Sequence, residues 1–192
     1  MDGTTDITRT YPLGPLTEDE KRFYTWTLQS HIDLAKAVWL DYCECKMIDT
    51  IAREPLWRHL INYRCGTGHS VSFVGNVHEG PHALNSRNTT RMRPGMVVTD
   101  EPGVYETDLV GIRIENELVC VHKADNQYGT FLGFEPLMFV PIATSPILPG
   151  VLDKDEIAWL NDYHRQVFAK LAPHLNDEER SWLAEKCAAI GC

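Results

Sequence analysis

The fold is decided by a stretch that opens with Cys65-Gly66-Thr67-Gly68-His69 and continues through Asn76-Val77-His78-Glu79-Gly80-Pro81. Its later parts are Val97-Val98-Thr99-Asp100-Glu101-Pro102-Gly103 and Gly111-Ile112-Arg113-Ile114-Glu115-Asn116-Glu117. Two histidines nine residues apart are therefore followed by two apolar segments that carry acidic residues. Imidazole and carboxylate groups together are typical ligands of divalent metal ions. The stretch predicts a metal site with nitrogen and oxygen ligands.

The acid of the first apolar segment is expected at the end of a strand. Residues 96–99 are apolar and mostly β-branched, which favours a strand, and Pro102-Gly103 ends it in a turn. Glu101 then projects from the strand end, where its side chain can enter a site. Because no thiolate accompanies these ligands, they suit Mn²⁺, Co²⁺, Fe²⁺ or Zn²⁺ rather than a thiolate zinc site.

The second apolar segment, residues 110–121, is also predicted to be a strand. Alternation places Arg113, Glu115 and Glu117 on one face of it. Charges on a strand with apolar flanks are costly to bury without partners. A metal ion, or pairing with Arg113, would compensate them.

The glycines of Gly66-Thr67-Gly68 invite comparison with a phosphate-binding loop. Val71 stands where the third glycine of that motif belongs, and no phosphate-binding lysine follows, so we exclude a nucleotide site. Glycines at these positions instead allow the backbone to approach metal and substrate closely.

Several segments together resemble the C-terminal part of the catalytic domain of aminopeptidase P, the Xaa-Pro aminopeptidase branch of the pita-bread metallopeptidases. The resemblance extends over essentially the whole chain, in the order and spacing of the family. The segments that carry it are residues 2–10, GTGH at 66–69, NVHEGP at 76–81, TDEPG at 99–103, GIRIENE at 111–117 and FEPL at 134–137. It implies a partial pita-bread (creatinase/aminopeptidase-like) α+β fold, in which an antiparallel sheet is flanked by helices.

The resemblance also implies roles for individual residues. Asp6, His69, Glu101 and Glu115 match the family's metal ligands, and His78 matches a histidine that contacts substrate and assists proton transfer. The family binds two ions, commonly Mn²⁺, with Co²⁺ and Zn²⁺ as alternatives, and a bridging water attacks the peptide carbonyl. For this chain the expectation is one ion or none.

Differences between this sequence and the family pattern are the reason that fewer than two metal ions are expected. The family has a further aspartate eleven residues before the one that matches Asp6, and a substrate-binding histidine further upstream, and neither is present in this sequence. Cys65 stands where the family usually has a histidine, and Ser70 and Ser72 replace glycines. The usual substrate contacts are therefore expected to differ.

Two functions of different classes follow. The first is a metal-dependent aminopeptidase, or a fragment of one, that hydrolyses the N-terminal Xaa-Pro bond of a peptide with proline at its second position. The alternative is a truncated, non-catalytic fragment or pseudoenzyme that keeps the fold and at most one metal site. Prolidase, creatinase and methionine aminopeptidase share the fold, but the segments at 76–81 and 111–117 favour the aminopeptidase P branch. The resemblance further predicts a homodimer.

Composition limits the partners and the compartment. The 192 residues include 18 basic and 27 acidic ones, and the net charge of -9 argues against nucleic acid or an anionic membrane as the main partner. Six cysteines without a CxxC pair are expected to be reduced thiols, which favours the cytoplasm. No apolar stretch has the length of a membrane span or resembles a signal peptide.

Local signals place the remaining elements. We expect a strand at residues 3–10, helices at 18–40 and 47–60, a loop at 82–93, and a strand at 130–142 interrupted at Pro136. Capping signals at Thr17/Glu20, Asp153/Glu156 and Asn176/Glu179 mark three helix starts. Glu135 is expected to be a buried acid, and the resemblance to the family places it near the site. Residues 1–145 are predicted to form the incomplete catalytic domain and 146–192 its helical extension.

Overall fold

The computed structural model describes residues 3–191, so Asp2 of the N-terminal segment and Cys192 of the predicted thiols lie outside it. Within these residues four α-helices and eight strands form the predicted α+β fold. The helices are α1 (Glu18–Ala35), α2 (Cys45–Trp57), α3 (Lys154–Leu171) and α4 (Asp177–Lys186), with a 3₁₀-helix at Ala172–His174. The strands are β1 (Val38–Leu40), β2 (Gly68–His69), β3 (Ala83–Leu84), β4 (Val97–Asp100), β5 (Gly103–Glu106), β6 (Val110–Arg113), β7 (Asn116–Asn126) and β8 (Gly129–Pro136).

The main sheet has four antiparallel strands in the order β1-β8-β7-β4. Two small antiparallel pairs, β2-β3 and β5-β6, flank it. Strands β7 and β8 form a long hairpin whose turn is at residues 127–128. The predicted strand at 3–10 is extended but forms a single bridge, between Thr8 and Glu115.

Helix α1 ends five residues earlier than predicted. The expected helix ran to about residue 40, but Ala35 is its last residue and Val38–Leu40 is strand β1 instead. Val38 and Trp39 pair with Gly133 and Leu132 of β8, and the Trp39 side chain is buried there. Pairing with a distant strand thus outweighs the local helical pattern at these β-branched and aromatic positions.

The predicted strand at 110–121 is divided between two sheets. Residues 110–113 pair with β5, whereas Asn116 begins β7 and pairs with Asp100 of β4. Glu115, between the two, bridges to Thr8. Residues 110–121 therefore contact three backbone segments close to the acidic residues, namely β5, β4 and the segment that contains Thr8.

Two hydrophobic clusters surround α1, which is buried on two sides as its apolar pattern indicates. Leu34 packs in a cluster with Ala52 of α2 and Val98 of the main sheet. Leu28 and Ile32 pack in a second cluster that includes residues of β6 and α3. The helix therefore joins the sheet that carries the acidic residues to the C-terminal helices.

The three predicted helix starts are confirmed. Thr17, Asp153 and Asn176 each accept the backbone N–H three residues on, and the glutamate at that position caps in return. The boundary between 1–145 and 146–192 stays a prediction. No helix within residues 3–191 has the length and apolar character needed to cross a membrane.

Two further expectations are wrong in part. The predicted loop at 82–93 contains β3, which pairs with β2. Glu135 is not a buried acid: its side chain is 63% exposed and lies 3.8 Å from the Lys123 ammonium. On β8 the Glu135 side chain lies on the face that is exposed to solvent. Alternation in the sequence does not say which face of a strand is the exposed one.

Candidate metal centre

Four backbone segments lie side by side where the acidic residues meet. Thr99 of β4 is opposite Glu117 of β7, and Thr8 is opposite Glu115. On the other side of β4, Ser70 is opposite Val98. In an antiparallel pair, each step forward on one strand is opposite a step back on the other, so these pairs determine which neighbouring residues are opposite one another.

Extending the registers by one or two residues gives the layout of the site. Directly opposed residues share a face of the sheet, as do residues two apart on one strand. One row of side chains on this face is Asp6, Glu117, Thr99 and His69, and the next row contains Thr8, Glu115 and Glu101. The structure thus brings the four sequence-predicted ligands to one face.

His69 is the centre of this arrangement. Its Nε2 atom lies 3.1 Å from Glu101 Oε1 and 3.5 Å from Asp6 Oδ2. Its Nδ1 atom lies 3.1 Å from the Ser70 carbonyl oxygen, which can only accept, so Nδ1 carries a hydrogen. Burial lowers the pKa of His69, but the bonds to Glu101 and Ser70 outweigh burial and the net pKa is raised. With Nδ1–H fixed in this way, Nε2–H donates to Glu101 when the ring is protonated, and loss of that proton would leave an Nε2 lone pair directed between the carboxylates, where a metal ion would bind.

Glu101 is held by two donors besides His69. The Thr99 hydroxyl donates to Glu101 Oε1 at 3.0 Å, and the Arg113 guanidinium lies 3.1 Å from Oε2. Burial raises the pKa of Glu101, but His69 and Arg113 outweigh it and the pKa is lowered. Glu101 is therefore a fixed, ionised carboxylate at the strand end, as its position in the sequence predicts.

Glu115 is almost completely buried in the same site. Its Oε2 atom accepts a hydrogen bond from the Thr8 hydroxyl. Burial, with the nearby negative charges of Glu101 and Asp6, raises the pKa of Glu115 to about 7. Because burial is the main cause, the ionised form of Glu115 is costly here unless a cation compensates it.

His78 returns to the site at the end of the loop that follows His69. Glu79 N donates to the Ser70 carbonyl oxygen at 3.1 Å, which closes the loop. The rings of His78 and His69 are 4.0 Å apart between centroids and inclined at 50°. His78 is exposed to solvent, so it lies beside the ligand face rather than in it.

A buried network on the reverse face of the sheet fixes the ligand-bearing backbone. Arg9 donates to the Glu115 carbonyl at 2.5 Å and to Asn116 Oδ1 at 2.7 Å. Asn116 Nδ2 in turn lies 3.3 Å from His31 Nε2, and His31 Nδ1 lies 3.1 Å from Asp100 Oδ2. The residues adjacent to Glu101 and Glu115 are therefore linked through α1.

A second network anchors the segment that leads into His69. Arg53 of α2 donates to the carbonyl oxygens of Tyr63 and Cys65, each at 2.9 Å, and to Asp49 Oδ2 at 2.8 Å. Asp49 also accepts a hydrogen bond from the Thr67 hydroxyl. Helix α2 thus fixes both ends of the short segment before β2.

A cavity of about 300 Å³ opens beside the ligand face. Its lining includes His69, His78, Glu101, Arg113 and Cys65. Cys65 is half-buried, with Sγ 3.8 Å from the Gly103 carbonyl oxygen, and burial raises the pKa of its thiol. A protonated thiol here leaves imidazole and carboxylate as the site's ligand chemistry.

The kinds of ligand atom at this site suit a divalent cation, although the side chains are not yet arranged around an ion. Across residues 3–191, no three His, Cys, Asp or Glu side chains are already set to hold an ion. Asp6 and Glu101 instead each stand at contact distance from His69 Nε2. One imidazole with an oriented lone pair and several clustered carboxylates nevertheless form the donor set that suits Mn²⁺, Co²⁺ or Zn²⁺.

Sequence reasoning identified the ligand candidates but missed what supports them. Thr99, which contacts both His69 and Glu101, carried no signal because a threonine in a strand is ordinary. Glu117 was placed on the face of Glu115 by alternation, and its burial beside Asp6 appears only in the structure. The glycine at position 68 allows close approach, but to the β4 backbone rather than to a ligand.

Comparison with known proteins shows the family to which this chain is related. Residues 1–122 match metallopeptidase family M24, and residues 130–190 match the C-terminal region of peptidase M24. The chain is 41% identical to aminopeptidase P1 of Lotus japonicus, over all of this chain and 30% of that protein. It is 43% identical to aminopeptidase P2 of Arabidopsis thaliana, over 95% of this chain and 27% of that protein.

Solved structures give the same result. The X-prolyl aminopeptidase of Caenorhabditis elegans, a cytosolic enzyme with a di-nuclear active site, superposes with a TM-score of 0.92 at 38% identity. The superposition covers 98% of this chain and 32% of that one. Prolidase from Pyrococcus furiosus gives a TM-score of 0.59 at 28% identity, over 69% and 36%. The chain thus spans about a third of the length of the relatives it matches.

Proposed function

Because this chain belongs to metallopeptidase family M24, we propose that it contributes the metal-binding face of an Xaa-Pro aminopeptidase. The proposed reaction is hydrolysis of the bond between the N-terminal residue of a peptide and a proline at the second position. One observation carries the proposal: Asp6 and Glu101 converge on His69 Nε2, and Glu115 occupies the neighbouring row of the same face. The aminopeptidase P relatives support the substrate class.

The proposed ligands are Asp6, His69, Glu101 and Glu115, and the proposed metal is Mn²⁺, with Co²⁺ or Zn²⁺ as substitutes. A divalent ion supplies a water of lowered pKa and polarises the peptide carbonyl. We propose that this chain's own ligands hold one ion, because Asp6 and Glu101 gather around a single imidazole nitrogen.

The protein's own groups orient the ligands. The Nδ1–H of His69 is fixed by the Ser70 carbonyl, which keeps Nε2 directed at Glu101 and Asp6. Arg113 and Thr99 hold the Glu101 carboxylate in place. His78, exposed beside His69, is the proposed group that contacts substrate and transfers a proton during bond cleavage.

A cytoplasmic location and a homodimer complete the proposal. The described cysteines, Cys43, Cys45, Cys65, Cys120 and Cys187, are all free, which agrees with a reducing compartment. The net charge of -9 argues against nucleic acid as a partner. The homodimer rests on family resemblance alone, and light scattering of the purified chain tests it.

The deciding experiment measures metal content and activity together. Purified residues 1–192 are dialysed against Mn²⁺, then against metal-free buffer, and bound metal is counted by elemental analysis beside an assay with an Xaa-Pro peptide. We expect one bound ion and little turnover, because the chain spans about a third of its relatives. An absence of bound metal would contradict the proposed centre.

The same experiment separates the two functions. Robust turnover by residues 1–192 would mean that this chain, alone or as an oligomer, supplies a complete catalytic site. One ion without turnover fits both functions, and adding the preceding part of a homologous aminopeptidase P in trans then separates them. Restored turnover would support the aminopeptidase, whereas no turnover would favour the alternative, a non-catalytic fragment or pseudoenzyme that keeps one metal site.

A further inference from the structure

Glu117 occupies the ligand face although the family ligand set does not include it. The registers place it directly between Asp6 and Thr99, with His69 next in the same row. Its Oε1 atom accepts the backbone N–H of Asp6 at 2.9 Å. Glu117 is only 4% exposed, so its carboxylate lies within the site rather than in solvent.

The charges around Glu117 are unbalanced. Four carboxylates share this face, whereas the positive groups that reach them are Arg113 and, when protonated, His69. Arg113 pairs with Glu101, and within residues 3–191 no Lys, Arg or His nitrogen approaches the Glu117 carboxylate as an ion pair. A buried carboxylate without a counter-charge is costly, and a divalent cation between several carboxylates compensates it.

The second oxygen of Glu117 is the available donor. Oε1 is used by Asp6 N, while Oε2 accepts no hydrogen bond from the described part of the chain. Asp6 is opposite Glu117 on the same face, so the two carboxylates lie side by side. Carboxylate oxygens are the preferred ligands of hard cations such as Mn²⁺.

We infer that Glu117 is a further metal-binding residue: Oε1 anchors the Asp6 backbone, and Oε2 ligates the divalent ion that Asp6 and His69 hold. The inference rests on the proposed metal centre. The competing role is purely structural, in which Glu117 only fixes Asp6 through its backbone N–H.

Glu117→Gln separates these roles. Glutamine has nearly the same shape and keeps an Oε1 acceptor for Asp6 N–H, but it has no charge and its second terminal atom is a donor. A ligand role predicts a large loss of metal affinity, whereas the structural role predicts little change. Glu135→Gln is the matched control, since Glu135 is an exposed glutamate on the neighbouring strand β8.

The experiment titrates Mn²⁺ into residues 1–192 and follows free Mn²⁺ by electron paramagnetic resonance. We expect Glu117→Gln to weaken Mn²⁺ binding about tenfold or more and Glu135→Gln to leave it unchanged. Thermal melting without metal is measured in parallel. There Glu117→Gln should melt at or above the wild-type temperature, because it removes an uncompensated buried charge.

Two outcomes overturn the inference while the metal centre stands. One is wild-type affinity in Glu117→Gln. The other is a Glu117→Gln chain that is unfolded in the absence of metal. A ligand carboxylate without its cation should destabilise the metal-free fold, so its removal should not unfold the chain. If the wild-type chain itself binds no Mn²⁺, the proposed function fails and this inference fails with it.

Discussion

Thr99 and Glu101 are joined by a hydrogen bond of 3.0 Å, in which the threonine hydroxyl donates to Glu101 Oε1. The same hydroxyl accepts the backbone N–H of His69 at 2.9 Å. One side chain therefore sets the positions of two proposed metal ligands on adjacent strands. Because Thr99 is completely buried, no solvent competes for either bond.

Replacing Thr99 by valine should separate the two ligands without changing side-chain volume much. We expect Thr99→Val to lower the free energy of unfolding by about 1–3 kcal/mol, because the buried His69 N–H loses its acceptor. Mn²⁺ affinity should fall as well, measured by titration of the purified chain. Thr130→Val, at a partly exposed threonine bonded to Asp125, is the control and should keep wild-type affinity.

Removing the Glu101 carboxylate should remove bound metal. Glu101→Ala takes away the carboxylate nearest His69 Nε2 and leaves Arg113 unpaired. We expect elemental analysis after Mn²⁺ dialysis to find much less metal than in the wild-type chain. Glu135→Ala removes an exposed glutamate and should retain all of it. Unchanged metal content in Glu101→Ala would reject Glu101 as a ligand.

Gly68 should tolerate no side chain. A Cβ atom at this position would lie 1.8 Å from the Thr99 carbonyl oxygen, which belongs to the backbone and cannot rotate away. We expect Gly68→Ala to lower the free energy of unfolding by about 3 kcal/mol or more, measured in urea, because β2 must move away from β4. Gly14→Ala, where nothing lies within 4 Å, should change it by less than about 0.5 kcal/mol.

Two ion pairs with the same helical spacing allow a matched test of burial. Arg53 and Asp49 are paired at 2.8 Å inside the protein, whereas Arg58 and Glu54 are paired at 2.7 Å on the surface. We expect Arg53→Met to cost about 3–5 kcal/mol, because Asp49 keeps an uncompensated buried charge. Arg58→Met should cost less than about 1 kcal/mol. Equal losses in urea unfolding would refute the anchoring role of Arg53.

How much of this structure the sequence predicts depends on the range of the interactions. The helix starts at Thr17, Asp153 and Asn176 were predictable, because a capping box needs only residues three apart. The end of α1 was not, since residues 38–40 leave the helix to pair with a strand almost a hundred residues later. Long-range pairing overrides local periodicity at such positions.

The site shows the same division. Motif resemblance named Asp6, His69, Glu101 and Glu115, and the structure brings them to one sheet face. Alternation also placed Glu117 beside Glu115, but its burial depends on the segment that carries Asp6, which is more than a hundred residues away. The expected burial of Glu135 was wrong for the same reason, because the direction of a strand's faces is set by its neighbours.

His164 should make stability depend on pH independently of the metal site. It is completely buried, and its Nε2 atom accepts the backbone N–H of Ile142 at 3.1 Å. Burial, with the nearby positive charge of Arg9, lowers the pKa of His164 to about 4. Protonation would place a hydrogen on Nε2 opposite the Ile142 N–H, so the folded state resists it.

The sign follows from proton linkage. The unfolded chain binds the proton with a pKa of about 6.5, so His164 contributes its full stability above that pH and loses it as the pH falls towards 4. By about pH 5 the loss of stability should reach about 2 kcal/mol.

The contribution of His164 is measured as the difference in free energy of unfolding between the wild-type chain and His164→Gln, in urea and in the presence of a chelator. That difference should shrink with falling pH, while His174→Gln, at an exposed histidine, should follow the wild-type curve. Parallel curves for the wild-type chain and His164→Gln between pH 7 and 5 would contradict a neutral, buried His164.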